Sequence, residues 1–266
     1  MASYRIQLPD RLTLRHRHII AVFLRDDLRQ SDWSLATEAF GILGEALFIT
    51  PERSLSFQRL YAEMVDEKYA DNYLRELLAL DSVPAQSPGL WARYAREITQ
   101  LIKQQDWFNL FGGRTFLAYC LYWWSAFARG YAFEVEIFHD LEQSGILFEA
   151  HDLTIPADRF TPYDLLVSGL TGDIKTSLYF VQLARRFAVD FFVVRLHIKS
   201  KSVTVAVLLR PKAWDELNGD TVVGTWDSFA RQWPQPVRIK QSGYDVVAIE
   251  YAEWKRRILR WQGEQE

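Results

Sequence analysis

The apolar positions of the first hundred residues recur at helical spacing. Between residues 15 and 30 they fall at Ile19, Ile20, Phe23, Leu24 and Leu28. This period of about 3.6 residues predicts an amphipathic helix. The same spacing predicts more helices farther along, so we expect an all-helical N-terminal domain.

Start and stop signals divide this first region further. Asp32 or Ser34 can cap a second helix, and Pro51 suits the first turn of a third. The segment 82–89 is rich in Ser and Pro, which is typical of a linker. A further helix is predicted over about 90–104.

The pattern changes after residue 113. Two apolar helices are predicted, 115–128 and 131–143, with Gly130 between them and Gly145 as a C-cap. Short runs rich in Val, Phe and Leu then predict strands. The predicted strands are 146–150, 164–167, 173–177, 191–198, 203–209 and 243–250, with helices at 176–188 and 251–262.

This alternation predicts an α/β fold with a mixed central sheet flanked by helices. We place the helical N-terminal domain at residues 1–110 and the α/β domain at 111–266.

Composition is that of an ordinary globular protein, with 49% hydrophobic and 24% charged residues. The single cysteine, Cys120, excludes an intramolecular disulfide and a thiolate zinc cluster. The N-terminus lacks the apolar stretch of a signal peptide. The longest uncharged run, 115–128, is shorter than the roughly 20 residues that span a bilayer. We therefore expect a cytoplasmic protein without a membrane partner.

Three charged residues surround the predicted hairpin of the second half. Asp164 begins one apolar run, and Asp173 and Lys175 lie on the next. Side chains two apart on a strand point to the same side, so Asp173 and Lys175 share a face while Ile174 enters the core.

The position of Asp164 depends on the register of the hairpin. If the turn spans 168–171, Val167 pairs with Gly172 and Asp164 lies opposite Lys175, on the same face. A shift of one residue would move Asp164 to the other face.

Such a cluster suits a metal ion and a phosphate. Two close carboxylates repel each other unless a cation lies between them. Mg²⁺ takes oxygen ligands and keeps positions for water and phosphate oxygens, and a bound metal can activate water. A nearby lysine can hold a phosphate or position the attacking water. The hairpin therefore predicts a metal-dependent phosphodiesterase.

Asp164, followed by Asp173-x-Lys175, resembles the PD-(D/E)xK nuclease superfamily, with Pro162 and Tyr163 before the first acid. The family carries its first Asp on the second core strand and the (Asp/Glu)-x-Lys motif on the third. The resemblance covers about 130–209. It implies a restriction-endonuclease-like fold and cleavage of nucleic acid, with DNA favoured over RNA.

The residues before and after the hairpin resemble archaeal resolvase-like and Mrr-like members. Their helix often carries a Glu, for which Glu134 matches and Glu136 is a weaker substitute. A polar residue after the third strand corresponds to Gln182. The resemblance implies Mg²⁺, or Mn²⁺, held by Glu134, Asp164 and Asp173.

Two other functions remain open. The net charge is −3, whereas nucleic-acid enzymes usually carry a basic surface. Basic residues do cluster over 185–212 and 255–260. The chain could be an inactive nuclease-like module that binds nucleic acid or protein. It could also be a helical scaffold, and we allow for a homodimer.

The five histidines predict no site. His16 and His18 are expected to be exposed. His139, His151 and His197 are scattered along the chain, which indicates surface positions or hydrogen-bonded core positions.

Overall fold

The computed structural model is mixed α/β. It describes residues 4–29, 32–110, 112–155, 157–158, 161–177, 188–198, 201–217, 219–233, 235–241 and 244–264.

The helices are α1 (Leu14–Leu24), α2 (Trp33–Leu43), α3 (Phe57–Tyr61), α4 (Glu67–Leu78), α5 (Val83–Lys103), α6 (Gly113–Gln143), α7 (Pro211–Glu216), α8 (Trp226–Gln232) and α9 (Tyr251–Gly263). A π-helical turn, Ala62–Asp66, joins α3 to α4.

The strands are β1 (Arg5–Gln7), β2 (Leu47–Ile49), β3 (Ser54–Ser56), β4 (Glu149–Ala150), β5 (Leu165–Val167), β6 (Leu170–Lys175), β7 (Phe191–Ile198), β8 (Lys201–Leu209), β9 (Val222–Gly224), β10 (Val237–Gln241) and β11 (Tyr244–Glu250).

The chain divides into two compact units, Met1–Arg129 and Gly130–Glu266. The division falls inside α6. The domain boundary that the sequence suggested, between residues 110 and 111, lies just before this helix.

The first unit is mainly helical but contains a small antiparallel sheet of order β1-β2-β3. The prediction of an all-helical N-terminal domain is therefore wrong. Pro51 lies between β2 and β3 instead of starting a helix. The strands were missed because three residues are too few to show an alternating pattern.

Helix α5 begins within the predicted linker. Pro84 lies in its first turn, where a missing N–H costs nothing, and Pro88 lies inside the helix. Val83, Ser87 and Leu90 are buried, so packing stabilises this turn despite its composition.

Helix α6 is continuous through Gly130, so the prediction of two separate helices is wrong. Glycine inside a helix costs only about 1 kcal/mol relative to alanine. The buried residues Ala128, Ala132 and Phe133 continue the apolar stripe across it, which outweighs that cost. Within the described residues, we find no helix with the length and hydropathy needed to cross a bilayer.

The second unit contains a mixed eight-stranded sheet of order β4-β5-β6-β7-β8-β11-β10-β9. The β6–β7 and β9–β10 pairs are parallel and the other pairs are antiparallel. Each strand that the sequence predicts from residue 164 onward is present. Strands β9 and β10 were not predicted.

Helices pack on both faces of this sheet. Phe191 of β7 contacts Trp254 of α9, with ring centroids 5.2 Å apart. The next residue, Phe192, points to the opposite face and joins a buried cluster with Phe229 of α8. The sheet is therefore covered on both sides, and polar groups on β6 lie near an apolar interior.

Candidate functional site

A two-residue turn sets the register of the β5–β6 hairpin. Ser168 (φ 50°) and Gly169 (φ 84°) both have left-handed backbone, as the tightest hairpin turns require. Val167 consequently pairs with Leu170. The predicted pairing of Val167 with Gly172, from a four-residue turn, is wrong.

The observed register differs from the predicted one by two residues, because Val167 pairs with Leu170 instead of Gly172. A shift by an even number leaves each side chain on the face of the sheet that was predicted for it. Leu165 pairs with Gly172, and the next step along this register brings Asp164 beside Asp173 instead of Lys175. Asp164 still shares a face with both residues because the side-chain period of a strand is two.

Strand β4 adds a third member to this row. Ala150 pairs with Leu165, and the next residue, His151, donates its backbone N–H to the carbonyl of Asp164 at 3.2 Å. Asp164 in turn donates its N–H to the carbonyl of Gly172 at 2.9 Å. His151, Asp164 and Asp173 are thus neighbours across three strands.

The Asp164 carboxylate is fixed by the neighbouring backbone. Its Oδ2 accepts a hydrogen bond from the N–H of Ile174 at 2.7 Å, and its Oδ1 lies 4.0 Å from Nδ1 of His151. Oδ2 is therefore hydrogen-bonded to the backbone of β6, while Oδ1 faces the imidazole of His151.

Glu134 approaches the row from α6. Its Oε2 lies 3.4 Å from Nε2 of His151. The side chains of Glu134 and His151 are 13% and 4% exposed. Neither Oε2 nor Nε2 has a hydrogen-bond partner among the residues that the structure describes. Two buried polar atoms that face each other without a good hydrogen bond are unusual.

Glu134, His151 and Asp164 form a candidate cation site. One donor atom from each residue lies within 4.8 Å of the other two. Two carboxylates and an imidazole are suitable donors for a divalent metal.

Asp173 and Lys175 form an ion pair next to this cluster. Burial, together with the neighbouring Asp164 carboxylate, raises the pKa of Asp173 to about 7, and Lys175 only partly offsets this. The carboxyl group of Asp173 therefore keeps its proton to a higher pH than an ordinary aspartate does.

The two basic groups respond to the surrounding negative charge. Burial disfavours their charged forms, yet the pKa of Lys175 is raised because Asp173, Asp164 and Glu134 surround it. The pKa of His151 is raised despite its burial, mainly because Glu134 is so close. The site thus attracts positive charge.

The structure brings four of the sequence-predicted site residues together: Glu134, Asp164, Asp173 and Lys175. The weaker substitute, Glu136, forms an ion pair with Arg195 instead. Gln182 and most of the predicted helix 176–188 lie outside the described residues.

His151 is the residue that the sequence did not identify. The expected core role is met only in part: the imidazole is buried and its Nδ1 lies 3.3 Å from Oγ1 of Thr161. Its Nε2 has no hydrogen-bond partner among the described residues. The only sequence signal was its place just after the strand that precedes Asp164. A strand of two residues, separated from β5 by fourteen residues, gives no periodicity from which to set that register.

Comparison with protein-family models, with curated proteins and with solved structures gave no match.

Proposed function

We propose that this protein is a metal-dependent phosphodiesterase that cleaves nucleic acid, with DNA as the favoured substrate. The observation that carries the proposal is the convergence of three carboxylates and one ammonium at the end of three adjoining strands. Glu134, Asp164, Asp173 and Lys175 meet there from separate parts of the chain.

The order of elements supports a restriction-endonuclease-like core. Helix α6, strand β4, the β5–β6 hairpin and the parallel strand β7 follow one another as the resemblance implies. In this arrangement Asp164, immediately before β5, and Asp173 of β6 supply the two aspartates, and α6 supplies Glu134.

The carboxylates of Glu134, Asp164 and Asp173 would hold the cation, Mg²⁺ or Mn²⁺. Such an ion, when bound, activates water and neutralises charge on the phosphate. The fit is supported by the two buried polar atoms, on Glu134 and His151, that have no hydrogen-bond partner among the described residues.

Lys175 has a separate role. Its side chain is 31% exposed, more than any of the carboxylates around it, so its ammonium can reach a phosphate in solvent. It would orient the scissile phosphate or the attacking water, and its positive charge would stabilise developing negative charge.

The test is cleavage of plasmid DNA, single-stranded DNA and single-stranded RNA by the purified protein with Mg²⁺ or Mn²⁺. We expect Asp173→Asn, Glu134→Gln and Lys175→Ala each to lower the rate by about 10²-fold or more, since each removes a group that acts on the transition state. Rates are measured under single-turnover conditions.

Matched controls carry the same chemical change at exposed positions. They are Asp245→Asn on β11, Glu142→Gln on α6 and Lys240→Ala on β10. These variants should cleave at the wild-type rate. Cleavage that survives the three site substitutions, or that the controls also lose, would contradict the proposal.

One observation favours a second candidate, an inactive nuclease-like module that binds nucleic acid. The imidazole of His151 lies close to both Glu134 and Asp164, and the raised pKa of His151 lets it carry the positive charge that a metal would otherwise supply. Binding of DNA without cleavage in either metal would identify this alternative.

A further inference from the structure

We propose that His151 is itself a metal ligand, and that Glu134, His151 and Asp164 form a site that selects a first-row transition ion, such as Mn²⁺, over Mg²⁺. The inference rests on the proposed function for the location of the site. It adds the identity of a ligand and of the ion.

The spacing of the donors fits a single ion. For metal–ligand distances of about 2.1–2.2 Å, two ligands of one ion lie about 3–4.4 Å apart. Nε2 of His151 lies 3.4 Å from Oε2 of Glu134. One ring nitrogen of His151 and one carboxylate oxygen each of Glu134 and Asp164 lie within 4.8 Å of one another. A small rotation of a carboxylate closes the remaining gap.

The imidazole is already oriented for this role. Nδ1 of His151 lies 3.3 Å from Oγ1 of Thr161. When Nδ1 donates its proton to this hydroxyl, Nε2 carries the lone pair that a metal requires. Polar partners on the second nitrogen commonly orient metal-bound histidines in this way.

Burial makes the unsatisfied nitrogen informative. The His151 side chain is 4% exposed, and its ring packs edge-on against Phe138 with centroids 6.1 Å apart. A buried polar atom with no hydrogen bond is unfavourable, because it has lost its contacts with water and gained no partner. Coordination of an ion by Nε2 would remove this cost. Coordination of the same ion by Oε2 of Glu134 would satisfy the other unpaired atom.

The donor set determines which ion is preferred. Mg²⁺ is a hard cation that takes oxygen ligands almost exclusively, whereas imidazole suits first-row transition ions. Two carboxylates with one imidazole should therefore bind Mn²⁺ more tightly than Mg²⁺, and the preference should depend on His151.

Calorimetric titration of the whole chain with Mn²⁺ and with Mg²⁺, separately and in competition, tests the inference. We expect wild-type protein to bind Mn²⁺ at least 10-fold more tightly than Mg²⁺. His151→Ala should weaken Mn²⁺ binding by about 10–100-fold and Mg²⁺ binding by less than 3-fold. His18→Gln, at an exposed histidine of the first unit, should change neither affinity.

A spectroscopic measurement avoids dependence on the folding of the variant. Pulsed electron paramagnetic resonance of Mn²⁺ bound to wild-type protein should show coupling to an imidazole nitrogen. Absence of that coupling would overturn the inference. So would a His151→Ala variant whose affinity for Mn²⁺ is unchanged or higher, because the imidazole would then only fill the space between the carboxylates.

The result is separable from the fate of the proposed function. Binding of Mn²⁺ through His151 without any cleavage would retain the metal site and reject the nuclease. Cleavage together with Mn²⁺ binding that does not depend on His151 would retain the nuclease and reject His151 as a metal ligand.

Discussion

At the scale of single residues, burial and neighbouring charge decide the protonation of Asp173. Its carboxyl group shares the end of the hairpin with Asp164, and both are largely removed from water. Lys175 is close enough to pair with it, yet the pKa of Asp173 is still raised to about 7. Desolvation therefore outweighs the ion pair.

This shift predicts a pH-dependent stability in the absence of divalent cations. The folded state holds the proton of Asp173 more tightly than the unfolded chain does. The stabilisation is full below about pH 4 and is lost as the pH rises through about 7. At about 1.4 kcal/mol per pKa unit, the loss amounts to roughly 2–4 kcal/mol.

Asp173→Asn should remove this dependence. We expect urea unfolding in EDTA to show the variant gaining stability relative to wild type between pH 5 and pH 8. Asp245→Asn is the control, because the bond to Arg238 lowers the pKa of Asp245, which keeps its titration below this range. Parallel curves for Asp173→Asn and wild type would contradict the assignment.

Single residues also show how far the sequence predicts the site. The acids and the lysine could be named because Asp173 and Lys175 lie two apart on one strand and Asp164 precedes the turn. His151 could not, because its position beside Asp164 depends on a two-residue strand that carries no periodic signal.

At the scale of elements, the pairing of β6 with β7 holds the hairpin in place. Gly172 lies opposite Phe191 in this pair. A Cβ at residue 172 would come within 2.2 Å of the Phe191 ring. That ring is fully buried and packs against Trp254, so it cannot move aside freely.

Gly172→Ala should therefore destabilise the protein by about 2–3 kcal/mol, in the range of other overpacked cores. Gly130→Ala is the matched control. Its Cβ would meet nothing within 4 Å inside α6, so the change should stabilise the protein by about 0.5–1 kcal/mol. Chemical denaturation measures both, and a neutral Gly172→Ala would be inconsistent with the close β6–β7 contact.

The elements also explain two wrong predictions. Gly130 and Pro88 both lie within helices although their local propensities oppose a helix. In each case buried neighbours on the same helix outweigh a cost of about 1–3 kcal/mol. Local composition could not reveal those contacts.

At the scale of the whole molecule, the site concentrates negative charge in a protein whose net charge is already −3. Glu134, Asp164 and Asp173 are opposed by Lys175, with His151 between two of the carboxylates. A divalent cation that binds only the folded chain stabilises it by mass action.

We therefore expect Mn²⁺ to raise the melting temperature. At about 100 times the dissociation constant the gain is about 2.7 kcal/mol, or several degrees for a protein of this size. Thermal unfolding in Mn²⁺ and in EDTA measures the difference. Glu134→Gln should abolish it and Glu142→Gln should retain it; an equal shift in both variants would indicate binding elsewhere.

The sequence by itself determined the periodicities: most of the long helices, the main strands, and the shared face of Asp173 and Lys175. Those features depend on residues close together in the chain, where side-chain spacing and backbone geometry suffice. The tertiary structure alone decided the even register shift of the hairpin, the continuity of α6, and the meeting of His151 with Glu134 and Asp164. These depend on contacts between distant residues, whose packing and desolvation energies no local pattern records.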